Sequence, residues 1–224
     1  MLTFLGTGGA FTKENGNTSA YCYINDNSLL LIDCGESVFN KIIREQLLAK
    51  ITDIYILITH FHSDHVGSLG SLLFYCDYLG LQNISVIFPN IQKLKELIHI
   101  YGLDSELLHL KLPSEITGFN IKEYKQVHSN MEAYGYLIEL NHELIFYSGD
   151  SKTIPKDILD NIDKIDAIYQ DVRDSNYPHH LSIAELDRLI PQIYRYKIKC
   201  MHYPDDTDLE KINNKGYFVV KRKR

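Results

Sequence analysis

The segment His60-Phe61-His62-Ser63-Asp64-His65 constrains this 224-residue chain more than any other stretch. It sets four potential metal ligands within six residues. The apolar run Ile54-Tyr55-Ile56-Leu57-Ile58-Thr59 precedes it and Val66-Gly67-Ser68 follows. The run reads as a buried strand and the motif as the loop that leaves it. His60 and His62 are two residues apart, so an extended backbone turns both to one face. Asp64 and His65 come after the turn and can address a second point. One turn can therefore serve two cations, and imidazole with carboxylate suits zinc or, less selectively, manganese or iron. Single histidines on a loop are usually ordinary surface residues, but this spacing after a strand is a metal-binding pattern.

Composition supplies the boundaries. Hydrophobic residues make up 45% of the chain and charged residues 23%, which is ordinary for a globular domain. No apolar run is long enough to span a bilayer. Met1-Leu2-Thr3-Phe4-Leu5-Gly6 has no charged leader and no cleavage site, so it reads as a first strand rather than a signal peptide, and the cytosol is the expected location. Cys22, Cys34, Cys76 and Cys200 form no C-x-x-C pair and are expected as buried thiols. A net charge of −6 argues against a broad nucleic-acid surface, and the basic tail Lys221-Arg222-Lys223-Arg224 reads as solvated. Sixteen tyrosines without a tryptophan are unusual, and tyrosines can stack on a nucleobase.

Periodicity gives mixed α and β structure in one domain, residues 1–224, without repeat or linker. Strands are expected over 1–5, 18–24, 29–33, 53–58, 84–88, 118–127, 134–140, 143–147, 167–170, 197–201 and 217–221. Helices are expected over 36–48, 68–79, 91–101 and 155–161, and from Ser182 to about Ile193. Ser182 with Glu185 forms a capping box. Gly6-Thr7-Gly8-Gly9-Ala10 is neither G-x-G-x-x-G nor a P-loop, so it reads as a tight turn near the site. His128, Asp150 and His202 each stand at a predicted strand end, whereas His99, His109 and His142 read as surface or packing residues.

The ordered set His60-x-His62-x-Asp64-His65, then His128, Asp150 and His202, resembles the metallo-β-lactamase superfamily. The resemblance implies an αββα sandwich with metals at one edge. It gives one metal to His60, His62 and His128, a second to Asp64, His65 and His202, and makes Asp150 the bridge. The implied cofactor is two zinc ions, with manganese as the alternative. A hydroxide shared between the cations is the implied nucleophile. Asp33 matches the early Asp that orients the metal loop without binding metal.

The branch follows from further residues. Thr3-Phe4-Leu5-Gly6-Thr7-Gly8-Gly9-Ala10, Asn17-Thr18-Ser19 and Leu31-Ile32-Asp33-Cys34-Gly35-Glu36 resemble the opening of ribonuclease Z. Gln170-Asp171 followed by His180-Leu181-Ser182 resembles its acid and His-Ser/Thr segment. By that likeness Asp64, Asp171 and His180 carry catalytic parts, with Asp64 also a ligand and His180 protonating the leaving oxygen under the hold of Asp171. Ribonuclease Z carries a long tRNA-gripping arm between the third-motif His and the bridging Asp, whereas His128 and Asp150 are separated here by a hairpin's worth of chain. The resemblance therefore implies a small phosphodiester, as in the armless anti-Pycsar phosphodiesterases of bacteriophages, which destroy host cyclic nucleotide signals. It further implies a small nucleotide as partner, no membrane, no stable nucleic-acid complex, a homodimer, and the host cytoplasm if phage-encoded. The alternatives are an RNA 3′-processing nuclease of ribonuclease Z type, a non-catalytic nucleotide-binding module and a glyoxalase-type thioesterase.

Overall fold

The computed structural model describes residues 1–81, 83–103 and 108–223. Its first half opens with an antiparallel meander of β1 (Thr3–Gly6), β2 (Ser19–Asn25) and β3 (Ser28–Ile32). Three parallel strands then extend the sheet: β4 (Asp53–Leu57), β5 (Asn83–Ile87) and β6 (His109–Lys111). The second half repeats the plan. An antiparallel meander of β7 (Asn120–Lys125), β8 (Tyr134–Leu140) and β9 (Glu143–Tyr147) is followed by parallel β10 (Ala167–Asp171), β11 (Ile198–Met201) and β12 (Phe218–Val219). The strands run in sequence order across each six-stranded sheet. The repeat thus exists in topology although none is visible in the residues.

Alternation explains the layers. In β3, Leu29 and Leu31 face outward to helices while Leu30 and Ile32 face the other sheet, all fully buried. The outer helices of the first sheet are α1 (Val38–Arg44), α3 (Leu69–Tyr78) and α4 (Ile91–Ile100), packed through Val38, Ile42, Leu69, Leu72, Leu73, Leu94 and Ile98. A short α2 (Ser63–Val66) precedes α3. On the second sheet α5 (Lys156–Asp160), α6 (Ile183–Leu189) and α7 (Leu209–Asn214) cover Phe146, Ile168, Ile198 and Cys200. The result is helices, sheet, sheet, helices, which is the expected αββα sandwich. Among the described residues no helix is long and apolar enough to cross a membrane.

Several elements differ from the sequence reading. The helix expected over 36–48 stops at Arg44, because Gln46 takes a left-handed φ of 51°. The helix begun at Ser182 ends at Leu189, since Pro191 cannot donate a helical hydrogen bond and forces the residue before it to be extended. A 3-10 segment, Gln192–Lys197, takes its place. Helices α2 and α7 and strand β6 were too short to show a period. Tyr136, Tyr147 and Tyr169 fill the layer between the sheets, so much of the tyrosine usage is core, with the Tyr136 hydroxyl donating to the Ile58 carbonyl at 2.6 Å. Three cysteines are buried and Cys22 only partly, and all four are free. The basic tail's side chains at Lys221, Arg222 and Lys223 are exposed, as expected, while its backbone docks: the Lys223 amide donates to the Phe4 carbonyl at 2.8 Å, and Arg222 bridges to Phe4 beside β1. Arg224 lies outside the described residues.

Lys197 is a buried cation that pairs with no acid among the described residues. Its Nζ donates to the carbonyls of Ile162, Asp163 and Ile165 at 3.0, 2.7 and 2.7 Å, tying the turn after α5 to the start of β11. Lys197→Met would strand those acceptors, and a loss of about 2–3 kcal/mol is expected in urea unfolding. A midpoint unchanged from wild type would contradict that assignment.

Candidate metal centre

The expected site residues gather at one edge of the sandwich, where strands of both sheets end. Asp33 follows β3, His60 follows β4, and His128 follows β7. Asp150 follows β9, Asp171 closes β10, and His202 follows β11. Asp33 and His202 each adopt a left-handed φ of 60° directly after their strands, turning the chain sharply at the edge. His62 keeps an extended backbone and caps α2, so His60 and His62 share a face while Asp64 and His65 ride on the following helical turn. Gly35 makes this turn fit: a Cβ there would lie 2.0 Å from the Asp64 carbonyl oxygen.

Two groups of donors result. His60, His62 and His128 converge in one, and Asp64, His65, Asp150 and His202 in the other. In the first, His62 Nδ1 lies 2.9 Å from His60 Nε2 and 3.3 Å from His128 Nε2. In the second, Asp64 Oδ2 lies 3.4 Å from His65 Nε2 and 3.3 Å from His202 Nε2. Asp150 stands between them. Its Oδ1 is 3.2 Å from both His65 Nε2 and His202 Nε2, and its Oδ2 is 3.7 Å from His128 Nε2 and 4.0 Å from His60 Nε2.

These spacings fit cations. Ligands about 2.0–2.1 Å from a tetrahedral zinc stand about 3.3–3.4 Å apart. His65 Nε2 and Asp150 Oδ1 are buried, close together and yet without a hydrogen bond, as expected of atoms aimed at a common third point. The donor set is nitrogen and carboxylate oxygen with no thiolate, which suits zinc or manganese.

The electrostatics agree. Burial, assisted by the nearby His65, pushes the pKa of His60 well below the ordinary imidazole range, leaving a neutral nitrogen with a free lone pair. Burial alone would favour the neutral acid at Asp150, but His202 and His65 outweigh it and hold the carboxylate well below its usual range. Burial likewise opposes a charge on His202, yet Asp150 and its other acid neighbours push it up to about 9. Bound cations would take over the role of those protons.

A further layer of contacts fixes the donors. Asp33, fully buried, accepts from the Thr59 amide and from Thr59 Oγ1, both at 2.8 Å, and its Oδ2 faces His65 Nδ1 at 2.8 Å. Asp171 plays the matching part in the other sheet. Its Oδ2 is 2.6 Å from His180 Nδ1, and its Oδ1 is 3.4 Å from His202 Nδ1. His180 is buried, with its ring stacked on His202. Its loop is anchored by Lys152 Nζ, which donates to the His180 carbonyl and to Glu185, and Glu185 completes the expected capping box with Ser182. Asp150, Asp171, His180 and His202 form a third close group, so His180 sits within reach of the metal ligands.

A cleft of about 600 Å³ opens above the centre, the size of a small-molecule site. Its lining includes His62, His128, His180 and His202, and also Phe11, Arg173 and Tyr177, which sequence reasoning missed. Arg173 had a signal: two residues after Asp171 in an extended segment, it shares that residue's face. His99, His109 and His142 are exposed and belong to none of these donor groups.

Over residues 1–224 the chain matches the family described as anti-Pycsar protein Apyc1. The chain belongs to that family. An anti-Pycsar protein Apyc1 from Bacillus phage vB_BveM-Goe7 is 30% identical over 237 residues, covering 92% of this chain and 90% of the relative. A ribonuclease Z from Methanosarcina acetivorans is 28% identical over 140 residues, covering 61% of this chain and 42% of the relative. Among solved structures, the metallo-β-lactamase fold protein YhfI from Bacillus subtilis superposes with a TM-score of 0.79 at 17% identity, covering 98% of this chain and 95% of that one. The expected fold and the expected class, a metal-dependent hydrolase of the phosphodiesterase branch, both hold. Between His128 and Asp150 the chain forms the hairpin of β8 and β9.

Asp33 should matter to the metal without touching it. Asp33→Asn is expected to weaken cation binding by about 10–100-fold in a chelator competition, as for other residues that orient a ligand. Binding equal to wild type would leave Asp33 a turn residue only.

Proposed function

We propose that the centre holds two divalent cations, zinc or manganese, and that the cleft takes a cyclic mononucleotide and opens its phosphodiester ring. The observation that carries this reading is Asp150, which turns one oxygen to each donor group. Two cations held close require an anion between them. Divalent cations at such a centre activate water as a nucleophile and neutralise charge on a phosphoryl group.

The chain's own residues supply the rest. Asp33 fixes the ring of His65, and Asp171 fixes His180 with its Nδ1 inward, leaving Nε2 toward the cleft. When a ring P–O bond breaks, an alkoxide departs and needs a proton. His180 Nε2 is the donor best placed to give it. The cleft's size suits a mononucleotide, and the net charge of −6 disfavours a long polyanion. The family's phage relatives support action in the host cytoplasm, and resemblance supports a homodimer; a sedimentation measurement tests the latter.

The decisive assay gives the purified protein zinc or manganese, then compares a panel of cyclic nucleotides with precursor tRNA. About two cations per chain and preferential opening of a cyclic nucleotide are expected. One cation with full activity would remove the dinuclear reading, and faster 3′ cleavage of precursor tRNA would favour the ribonuclease alternative.

General acids typically contribute about 10²–10⁴-fold, so His180→Ala should slow a nucleotide diester by a factor in that range. Bis-p-nitrophenyl phosphate expels p-nitrophenolate, already stable as an anion, and should be spared. Equal losses on both substrates with cations retained would take the acid role from His180, while loss of cations would make it a ligand.

A further inference from the structure

Arg173 places a permanent positive charge at the floor of the cleft. One of its guanidinium nitrogens, Nη1, is committed to the His202 carbonyl. The other, Nη2, lies 3.3 Å from His202 Nδ1 and 3.5 Å from His180 Nε2. Neither neighbour is a good acceptor. At 3.3 and 3.5 Å both contacts are long for a hydrogen bond, and His202 Nδ1 also lies 3.4 Å from Asp171 Oδ1. A guanidinium has five N–H donors and no acceptor, and two imidazole nitrogens at these distances satisfy Nη2 poorly. No carboxylate pairs with Arg173 among the described residues; Asp171, two residues away, turns its Oδ2 to His180 and the Ser151 amide.

The surroundings hold this charge rather than let it swing away. Arg173 emerges from a segment paired to the His180 loop on both sides: its amide donates to the Leu181 carbonyl at 2.9 Å and its carbonyl accepts from the Ile183 amide at 2.9 Å. Gly9 leaves room for it. A Cβ at Gly9 would stand 3.0 Å from Arg173 Nη2 and 3.2 Å from His202 Cε1. The Gly9 loop is in turn tied down by Asp205, whose carboxylate accepts the amides of Lys13, Glu14 and Asn15.

We propose that Arg173 Nη2 binds a non-bridging oxygen of the substrate phosphoryl group. A phosphoryl oxygen entering between Arg173 and His180 gives Nη2 the acceptor it lacks and brings the ester oxygen against His180 Nε2. Arginine suits the task because its fork keeps one nitrogen on the protein while the other meets the anion. This assignment rests on the phosphodiester reading of the cleft. It is separate from the acid role, because an arginine on a non-bridging oxygen should act whatever group departs.

The test measures binding as well as rate. Cation-loaded wild type, Arg173→Lys and Arg173→Met are titrated calorimetrically with adenosine 5′-monophosphate and with inorganic phosphate, with cation content and melting temperature followed in each. A charge-assisted hydrogen bond corresponds to about 10–100-fold in affinity, so Arg173→Met should lose that much for both anions and Arg173→Lys less. Hydrolysis should fall by a similar factor on a cyclic nucleotide and on bis-p-nitrophenyl phosphate alike, unlike His180→Ala. Anion affinity unchanged in a folded, cation-loaded Arg173→Met protein would overturn the proposal. Loss of cations in both variants would overturn it too, making Arg173 a support for His202. Anion binding that depends on Arg173 in a wild-type protein inert toward every cyclic nucleotide would uphold the phosphoryl contact and sink the substrate assignment instead.

Discussion

Buried carboxylates must be matched by positive charge, and at this edge the matching is continuous. Asp33 faces His65, His65 faces Asp150, Asp150 faces His202, His202 faces Asp171, and Asp171 faces His180. Acid and imidazole alternate from the first sheet to the second. His65 and His202 each have a carboxylate near both ring nitrogens, and His180 has one at Nδ1 with Nε2 turned to the cleft. No member can rotate without exposing a neighbour to an uncompensated buried charge. The line therefore fixes the candidate donor atoms in place and brings His180 beside them.

The sandwich exists to bring the two ends of that line together. Each half of the chain builds a meander and then parallel strands, and parallel strands send all their carboxyl ends one way. Connections at those ends carry the chemistry, while Leu30, Ile32 and Leu57 on one inner face and Tyr136, Tyr147 and Met201 on the other fix the spacing between sheets. The glycine at position 35 and the left-handed backbone at Asp33 and His202 belong to the same problem of turning sharply within a crowded edge.

What was legible in the residues follows from what has a local pattern. The metal motif, the strand-end histidines and the Ser182 capping box each write their chemistry into a few adjacent positions. The hairpin of β8 and β9 was readable to the residue because Asn141 and His142, both left-handed, form the tight turn between two apolar runs. Arg173 and Phe11 were not read, since their significance is set by which loops converge on the cleft. Helix ends at Arg44 and Leu189 were overrun because an apolar period continues past the residues that break it. The tail's side chains from Lys221 to Lys223 are exposed as read, but nothing local says that the Lys223 amide will hydrogen-bond to the Phe4 carbonyl, more than two hundred positions earlier.

The donor groups also draw on both sheets, since His60 to His65 belong to the first and His128, Asp150 and His202 to the second. A cation held there is therefore a cross-link as well as a reagent. It joins surfaces that are otherwise held by apolar packing, and it binds the folded chain alone. Mass action then ties folding to supply: free cation at a hundred times its dissociation constant adds about 2.7 kcal/mol to stability. Where the metal is withheld, the chain would lose its chemistry and its resistance to proteolysis together, so the amount of intact protein would itself report metal supply.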